Sequence, residues 1–321
     1  MNGNRKRIVL AGGSGFLGRA LSIHFSKEGW EVVVLTRSPN TSARQVREVA
    51  WDAHSAGPWQ AELEGAAAVV NLTGKSVNCR YHARNRQEIL DSRTYSTRVL
   101  GEAIGRCVNP PKVWLNSSTA TIYKHTFGPA WNEDGQIEPT PEAKDVFSLE
   151  VAEAWERVFE EAQTPRTRKV ALRTAMVLGM GKNSVFPMLR RLTRLGLGGT
   201  MGTGKQYVSW IHQADFCCAV EWLLEHNDME GIVNVTAPNP LPNREMMKTL
   251  RQVCGVPGGL PAATWMLKFG AFFLRTETEL IIKSRRVVPS RLLKSGFQFW
   301  FPGIREAFDD LHNREKGGHA N

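Results

Sequence analysis

A glycine-rich segment near the amino terminus constrains the fold of this chain more than any other feature of its sequence. The apolar run 8–11 is typical of a buried strand, and residues 12–18 (GGSGFLG) follow it directly. Apolar residues at helical spacing come next, Gly29 ends that pattern, and the run 31–36 is typical of a second strand. The sequence therefore predicts a β-α-β unit with a glycine loop between its first strand and its helix.

The spacing of these glycines is typical of a loop that binds a pyrophosphate. It fits both GxGxxG and GxxGxxG, and such loops turn tightly and bring the amide groups of a helix N-terminus against the anion. A glycine turn without a ligand is the alternative interpretation. The predicted dinucleotide-binding residues of the loop are Gly12, Gly13, Ser14, Gly15, Phe16, Leu17 and Gly18.

The end of the second predicted strand indicates which nicotinamide dinucleotide the loop would bind. About 20 residues beyond the glycines, an acidic side chain commonly binds the ribose of NAD. This chain has Thr36, Arg37 and Ser38 there, and a guanidinium suits the 2′-phosphate of NADP. We therefore predict NADP(H) as the cofactor, with a solvated arginine at a strand end as the alternative.

Further apolar runs, with helical patterns between most of them, predict the rest of the fold. Their alternation is typical of an α/β protein with a Rossmann-type, doubly wound parallel sheet. Ligands of such a sheet bind at the carboxyl ends of its strands. The further predicted strands are 68–72, 113–116, 169–172 and 232–235.

Polar motifs follow two of these strands, at residues 71–74 (NLTG) and 117–123 (SSTATIY). Together with the glycine loop they resemble the extended short-chain dehydrogenase/reductases, a class that holds nucleotide-sugar epimerases and dehydratases. The match is closer to one atypical branch, the epimerase-family proteins often named as nucleoside-diphosphate-sugar epimerases. The segments that carry the closer resemblance are 85–93 (NRQEILDSR), 154–156 (AWE), 195–199 (LGLGG), 209–212 (SWIH), 288–293 (VPSRLL) and 296–297 (GF).

This resemblance implies further residues at the cofactor. Leu72, Thr73 and Gly74 would line it after the strand that precedes them, and Glu88 and Arg93 would approach it from the following helix. Lys75 departs from the branch, which usually carries an acidic residue at this position.

The resemblance also implies a domain organisation and an oligomeric state. A smaller, discontinuous, mainly helical substrate domain would lie over the strand ends, and the long helices at about 81–105 and 147–162 would form a homodimer by analogy with the extended class. The predicted units are an NADP(H)-binding domain (1–175 with 206–236), a substrate domain (176–205 with 237–312) and a tail (313–321).

The catalytic pair of the wider class is missing from this sequence. In that class a tyrosine exchanges a proton with the substrate, and a lysine one helical turn later lowers the pKa of the tyrosine. None of the four tyrosines has a lysine four residues on, and the resemblance places Phe147 and Val151 at the two positions. Thr119 and Tyr123 are the remaining catalytic candidates. The alternative is that both hydroxyls only bind or orient a ligand.

Three more residues are candidates for the substrate site by their place in the family. They are Arg173, Gln206 and His212, and for His212 the alternative is capping of the helix that follows it. Residues 199–206 (GTMGTGKQ) nearly spell a phosphate loop, but Gln206 lacks the hydroxyl that would bind magnesium. An ATPase is therefore rejected.

The formal net charge of +10 is distributed unevenly along the chain. Residues 162–214 contain no Asp or Glu, and a basic block at the mouth of a nucleotide-binding fold suits a small phosphorylated substrate, such as a nucleotide-sugar. We predict no nucleic-acid partner, because no recognition motif accompanies this charge. The basic block consists of Arg166, Arg168, Lys169, Arg173, Lys182, Arg190, Arg191, Arg194 and Lys205.

Cysteine usage and hydropathy indicate the compartment. The five cysteines have no CxxC spacing, which favours reduced thiols over disulfides or a zinc site. Residues 1–7 lack the apolar stretch of a secretory signal, and the most apolar late stretch, 260–274, is shorter than the roughly 20 residues of a membrane span. We predict a cytoplasmic protein with no metal and no membrane partner.

Two functions follow from these observations. The first is an NADP(H)-dependent epimerase or oxidoreductase that acts on a nucleotide-sugar or a similar phosphorylated substrate. The second, which the missing catalytic pair motivates, is an NADP(H)-binding regulator or sensor without turnover.

Overall fold

The computed structural model describes residues 5–40, 46–181, 183–262 and 282–318. A seven-stranded parallel sheet forms its centre, which confirms the predicted doubly wound α/β fold. The strands along the chain are β1 (Arg7–Ala11), β2 (Glu31–Thr36), β3 (Arg47–Ala50), β4 (Ala68–Asn71), β5 (Val113–Thr119), β6 (Arg168–Thr174), β7 (Met176–Leu178), β8 (Tyr207–Val208), β9 (Trp210–His212), β10 (Gly231–Val235) and β11 (Leu241–Pro242).

The order of strands in the central sheet is β10-β6-β5-β4-β1-β2-β3. The glycine loop follows β1, which lies between β4 and β2. Strands β2 and β3 are added on one side of β1 and the later strands on the other, so the loop lies at the switch point of the sheet topology. Two short pairs, β7 with β9 and β8 with β11, lie outside this sheet.

Helices cover both faces of the sheet. They are α1 (Phe16–Lys27), α2 (Ala83–Arg106), α3 (Val146–Glu161), α4 (Val185–Leu192), α5 (Gln213–Glu225), α6 (Asn243–Cys254), α7 (Ser290–Lys294) and α8 (Ile304–Gly318). Short 3₁₀ turns occur at Pro58–Leu63 and Ala120–Ile122, and a π turn at Thr193–Leu197 follows α4.

The alternation of side chains along β1 shows how the two layers of the core form. Ile8 and Leu10 pack in the layer that contains Phe25 of α1 and Phe216 of α5. Val9 packs in the opposite layer with side chains of α2 and α3. Because successive side chains of a strand point to opposite faces, a continuous apolar strand is buried on both sides.

A third apolar cluster holds the helical layer together. Phe186 of α4, Trp210 of β9, Leu250 of α6 and Phe308 of α8 are all buried in it. The domain boundaries stay predictions, and residues 263–281 of the proposed substrate domain lie outside the described residues. Among the residues that are described, no helix is both long and apolar enough to cross a membrane.

The sequence reasoning missed β3 and shortened β5 and β6. β3 is a four-residue edge strand with the sequence REVA, so it has no apolar run to mark it. The helical segment after β7 is divided in the structure. α4 ends at Leu192, and Gly196 in the π turn has φ +78°.

Candidate functional site

The glycine loop joins β1 to α1 at the carboxyl edge of the sheet. Gly12 has φ +72°, in the left-handed region, and a methyl group on it would lie 2.8 Å from Thr73 Oγ1. A methyl group on Gly18 would lie 2.3 Å from Gly13 Cα, so α1 approaches the loop at a distance that only glycine allows. Gly15 is the N-cap of α1 and gives the helix no side-chain cap. The first amides of α1 are therefore available to an anion.

The end of β2 lies beside this loop. Thr36 Oγ1 donates a hydrogen bond to Ser14 Oγ over 3.2 Å, which ties the strand to the loop. Arg37 and Ser38 follow and are exposed. Within the described ranges, which leave out 41–45, the Arg37 guanidinium has no hydrogen-bond or ion-pair partner. An exposed cation thus follows the strand end beside the loop, at the position where the sequence predicts the 2′-phosphate.

A buried amide network shapes the loop after β4. Asn71 Oδ1 accepts a hydrogen bond from the Thr73 N–H (3.0 Å), and Asn71 Nδ2 donates to Asn116 Oδ1 (2.8 Å). Thr73 Oγ1 is buried without a hydrogen-bond partner among the described residues. Because an unsatisfied buried hydroxyl costs free energy, this atom and the glycine cradle beside it fit a polar ligand such as a dinucleotide.

The unusual residue Lys75 has a partner on α2. Its ammonium pairs with Glu88 and donates a hydrogen bond to Asn85 Oδ1 (2.7 Å). Arg84 Nε also donates to Glu88, over 2.8 Å. Hydrogen bonds from Lys75 and Arg84 lower the pKa of Glu88 to about 2. Glu88 is therefore ionised and engaged by two cations, and its contact with the cofactor stays a prediction.

Arg93 lies behind the loop after β4. A methyl group on Gly74 would lie 3.2 Å from Arg93 Cζ, and the guanidinium stands over the Trp155 ring at 5.1 Å. Its Nη1 donates to the carbonyls of Lys75 and Ile89. Burial lowers the pKa of Arg93 to about 10, so the group stays charged at neutral pH. Its contact with the cofactor stays a prediction.

The two positions to which the resemblance assigns the catalytic pair hold apolar side chains. Phe147 and Val151 are buried with Ile89, and the Phe147 ring packs edge-on against Tyr81 with 5.0 Å between centroids. Thr119, at the end of β5, accepts a hydrogen bond from the Thr121 N–H over 3.1 Å. Its contact with a substrate stays a prediction.

Tyr123 belongs to a buried polar network. It is 1% exposed, donates to Asn234 Oδ1 (2.8 Å) and accepts from Arg173 Nη1 (2.9 Å). Arg173 also pairs with both carboxylate oxygens of Glu156, at 2.9 and 2.7 Å, and Ser118 donates to Glu156. Burial raises the pKa of Tyr123 although Arg173 opposes the shift. The phenol is therefore protonated at neutral pH and already hydrogen-bonded, and its catalytic role stays a prediction.

Gln206 and His212 are buried as well. Gln206 Nε2 donates to the Met201 carbonyl over 2.8 Å. His212 has no exposed surface, and its Nδ1 accepts from the Ala214 N–H at the start of α5 (3.1 Å), which is the capping alternative. Burial lowers the pKa of His212 to about 4, even though Asp310 lies 3.2 Å from its Nε2. Contacts of Gln206 and His212 with substrate remain predictions.

Three members of the basic block lie away from the carboxyl edge, which corrects the sequence interpretation for these three. Arg166, Arg168 and Lys169 lie at the amino end of β6, where the preceding helices end. Cations stabilise helix C-termini, because the last carbonyls lack helical partners and carry the negative end of the dipole. Lys182 lies outside the described residues. The carbonyls that accept from these three side chains include those of Cys107 and Val108 after α2, Phe159, Glu160 and Ala162 at the end of α3, and Leu223 of α5.

The amino edge also carries a surface groove of about 820 Å³ that these basic side chains help to line. All three hydrogen-bond donors of Lys169 are used by carbonyls, so this ammonium has no donor left for a ligand in the groove. The described residues contain no group of three metal-ligating side chains.

The sequence reasoning also missed that the end of β3 belongs to the carboxyl edge of the sheet. The Trp51 N–H donates to the Thr36 carbonyl over 2.9 Å, which brings Asp52 next to the end of β2. Trp51 Nε1 is buried and lacks a hydrogen-bond partner in the described part of the chain. No sequence signal pointed to these residues, because β3 itself has no apolar pattern.

Similarity to known proteins agrees with this geometry. Residues 8–236 match the NAD dependent epimerase/dehydratase family. The chain belongs to that family. Residues 262–311 match a second family, which is described only as a domain of unknown function.

Relatives in this family span almost the whole chain. The epimerase family protein YfhF of Bacillus subtilis is 30% identical over 305 residues, which are 95% of this chain and 97% of YfhF. The human epimerase family protein SDR39U1 is 29% identical over 310 residues, with 95% and 99% of the two chains covered. The family and its nearly complete overlap confirm the resemblance drawn from the motifs.

The solved structure of one relative supports dinucleotide binding, and a more distant structure shares the fold. The crystal structure of human SDR39U1 (isoform 2) with NADPH superimposes with a TM-score of 0.82, at 29% identity and over 96% and 99% of the two chains. UDP-N-acetylglucosamine 4-epimerase from Bacillus cereus shares the fold, with a TM-score of 0.74, 18% identity and 97% of each chain covered. This chain therefore has the nicotinamide-dinucleotide-binding fold of its family.

Proposed function

We propose that the chain binds NADP(H) in preference to NAD(H) and acts as an epimerase or oxidoreductase on a small phosphorylated substrate, such as a nucleotide-sugar. The observation that carries the cofactor choice is the exposed Arg37, which has no partner among the described residues and stands beside the Ser14–Thr36 hydrogen bond. No carboxylate follows β2 directly to bind a plain ribose. The NADPH in the structure of human SDR39U1 supports this choice.

The chain's own groups would divide the binding of the cofactor among them. The amides of Phe16, Leu17 and Gly18 at the start of α1 would bind the pyrophosphate, and Arg37 with Ser38 would bind the 2′-phosphate. From the other side, the Thr73 hydroxyl and the charge of Arg93 would complete the site. When bound, the nicotinamide ring supplies a carbon that donates or accepts a hydride.

The substrate would lie over the ends of β5 and β6. Thr119 would orient a substrate hydroxyl or carbonyl by hydrogen bonding, because its side chain stands at the carboxyl end of β5. The adjacent Ser118 donates to Glu156, which pairs with Arg173. This buried network anchors the end of β5 at the residue next to Thr119. The homodimer through α2 and α3 and the cytoplasmic location also remain part of the proposal.

A second function, NADP(H) binding without turnover, is favoured by one observation. The catalytic pair is replaced by packed Phe147 and Val151, and the hydroxyl of Tyr123 is committed to Asn234 and Arg173. A panel of sugar nucleotides and carbonyl compounds, tested for NADPH consumption, separates the two functions. Turnover that Thr119→Ala abolishes supports the enzyme, whereas tight NADPH binding with no turnover supports the regulator.

The cofactor assignment is tested by fluorescence titration with NADPH and NADH. Arg37→Ala should weaken NADPH binding by about tenfold, the scale of one charge-assisted hydrogen bond, and leave NADH binding unchanged. Arg106→Ala is the matched control, because Arg106 is an exposed arginine at the C-terminal end of α2. Tighter binding of NADH than of NADPH by the unaltered protein would refute the assignment.

A further inference from the structure

The phenyl ring of Phe16 fills a slot between two glycines of the turn after β7. A methyl group on Gly181 would lie 2.4 Å from Phe16 Cδ2, and one on Gly179 would lie 2.7 Å from Phe16 Cζ. Carbon atoms in contact normally stay about 3.5–4.0 Å apart. Any side chain at either position would therefore displace the ring. We call Gly179 and Gly181 the phenyl slot.

The backbone does not explain why both positions are glycine. Neither Gly179 nor Gly181 is among the residues with positive φ, so an L-residue could adopt either backbone conformation. The requirement is one of space, and Phe16 is the side chain that occupies the space at both positions. At Gly179 the nearest atom is Oε1 of Gln213, the first residue of α5, at 2.2 Å, so Gly181 is the position where Phe16 alone sets the requirement.

The phenyl slot connects two parts of the site that are far apart in sequence. Phe16 is the first residue of α1, whose amides face the proposed pyrophosphate position. The slot follows β7 and is closed by two hydrogen bonds with Ser184, the N-cap of α4: the Gly179 N–H donates to Ser184 Oγ (3.2 Å), and the Ser184 N–H donates to the Gly181 carbonyl (3.0 Å). A shift of α1 at the cofactor would therefore displace this turn, which lies at the start of the proposed substrate domain.

We propose that Phe16 is a positioning residue: seated in the phenyl slot, it holds the N-terminus of α1 in the cofactor-binding position and couples dinucleotide binding to the order of the turn at Gly179 and Gly181. The inference rests on the proposed NADP(H) binding. The ring acts through packing, because the backbone N–H of Phe16 is the group that would meet the cofactor. Coupling of this kind is reciprocal, so the turn affects cofactor affinity and the cofactor affects the turn.

Gly181→Ala tests the first direction of the coupling. It should raise the Kd for NADPH by about tenfold, since the new methyl group expels the ring and shifts the N-terminus of α1. Gly258→Ala is the matched control, because a methyl group there would have no atom within 4 Å. In a Phe16→Ala background the same Gly181→Ala change should cost nothing, because the ring it collides with is gone. Equal affinities of the Gly181 and Gly258 variants, or an equal loss with and without Phe16, would overturn the inference.

Hydrogen–deuterium exchange tests the second direction and does not depend on the folding of the glycine variant. NADPH should slow amide exchange in the peptide that covers β7 and the phenyl slot, and Phe16→Ala should remove most of that protection while the variant still binds NADPH at saturating concentration. Equal protection in both proteins would refute the coupling. If the unaltered protein fails to bind NADPH, the proposed function itself is refuted, and the inference with it.

Discussion

The buried ion pair between Glu156 and Arg173 gives a sharp stability prediction. Arg173 is 2% exposed, and Glu156 accepts two of its N–H groups at 2.7 and 2.9 Å. Burial acts to lower the pKa of Arg173, but the hydrogen bonds and charge of Glu156 outweigh it, so this carboxylate stabilises the charged guanidinium. Glu156→Gln removes the negative charge and leaves the guanidinium buried without it.

The expected cost follows from the burial of the guanidinium. Breaking a buried pair by removing one partner costs about 3–5 kcal/mol, and the amide oxygen left by Gln keeps one acceptor, so we expect about 3 kcal/mol. Arg173→Met should relieve most of this loss in the double variant, because no buried cation then lacks its counter-charge. The two changes should therefore be non-additive by about 2 kcal/mol.

Urea unfolding, followed by tryptophan fluorescence, measures these differences. Glu153→Gln is the matched control, because Glu153 lies on the same helix with its side chain exposed, and we expect a change within about 0.5 kcal/mol. A cost of Glu156→Gln as small as that of the control, or additive effects in the double variant, would refute the reasoning. NADPH binding by the folded variants shows whether the network also supports the site.

Two further predictions concern helix capping and pH. Lys169→Met should lower the free energy of unfolding by about 1–3 kcal/mol, because three carbonyls at the end of α3 lose their donor. The affinity for NADPH should stay unchanged, and a loss of NADPH binding would indicate that Lys169 binds a ligand after all. Lys112→Met, at an exposed lysine, is the control. Burial raises the pKa of Asp215 from 3.8 to about 6, against the hydrogen bonds from the Trp300 and Phe301 amides. A raised carboxyl pKa stabilises the fold below pH 3.8 and loses that contribution as the pH rises through 6. The free energy of unfolding should therefore fall between pH 4 and 6.5 more steeply in the unaltered protein than in Asp215→Asn, and parallel urea series that show equal slopes would contradict this.

Most of the sheet could be predicted because its signals are local. β1, β2 and β4 are apolar runs, and the glycine spacing between β1 and α1 has a steric reason at Gly12 and Gly18. β3 could not be predicted, because an edge strand with one neighbour needs no apolar pattern. The absence of a tyrosine–lysine pair could likewise be read directly from four tyrosines.

The functions of the polar candidates depend on partners that no local pattern shows. Tyr123 meets Asn234, 111 residues away, and Lys75 meets Glu88 across the loop and the start of α2. Arg173 and Arg168 belong to the same strand and the same basic block. Arg173 lies beneath the candidate site and Arg168 lies among helix C-termini, because the two ends of β6 are at opposite edges of the sheet.

The sequence by itself thus determined the α/β class, the dinucleotide loop and the cation at the end of β2, since each rests on residues adjacent in the chain. Only the tertiary structure decided which charges are free to bind a ligand and which are consumed by the fold. The Arg37 side chain makes no hydrogen bond or ion pair with the described residues, whereas Lys169 donates all its hydrogen bonds to carbonyls at the end of α3. The physical reason is that a charge acts through its neighbours in space, and those neighbours are set by how the strands and helices pack.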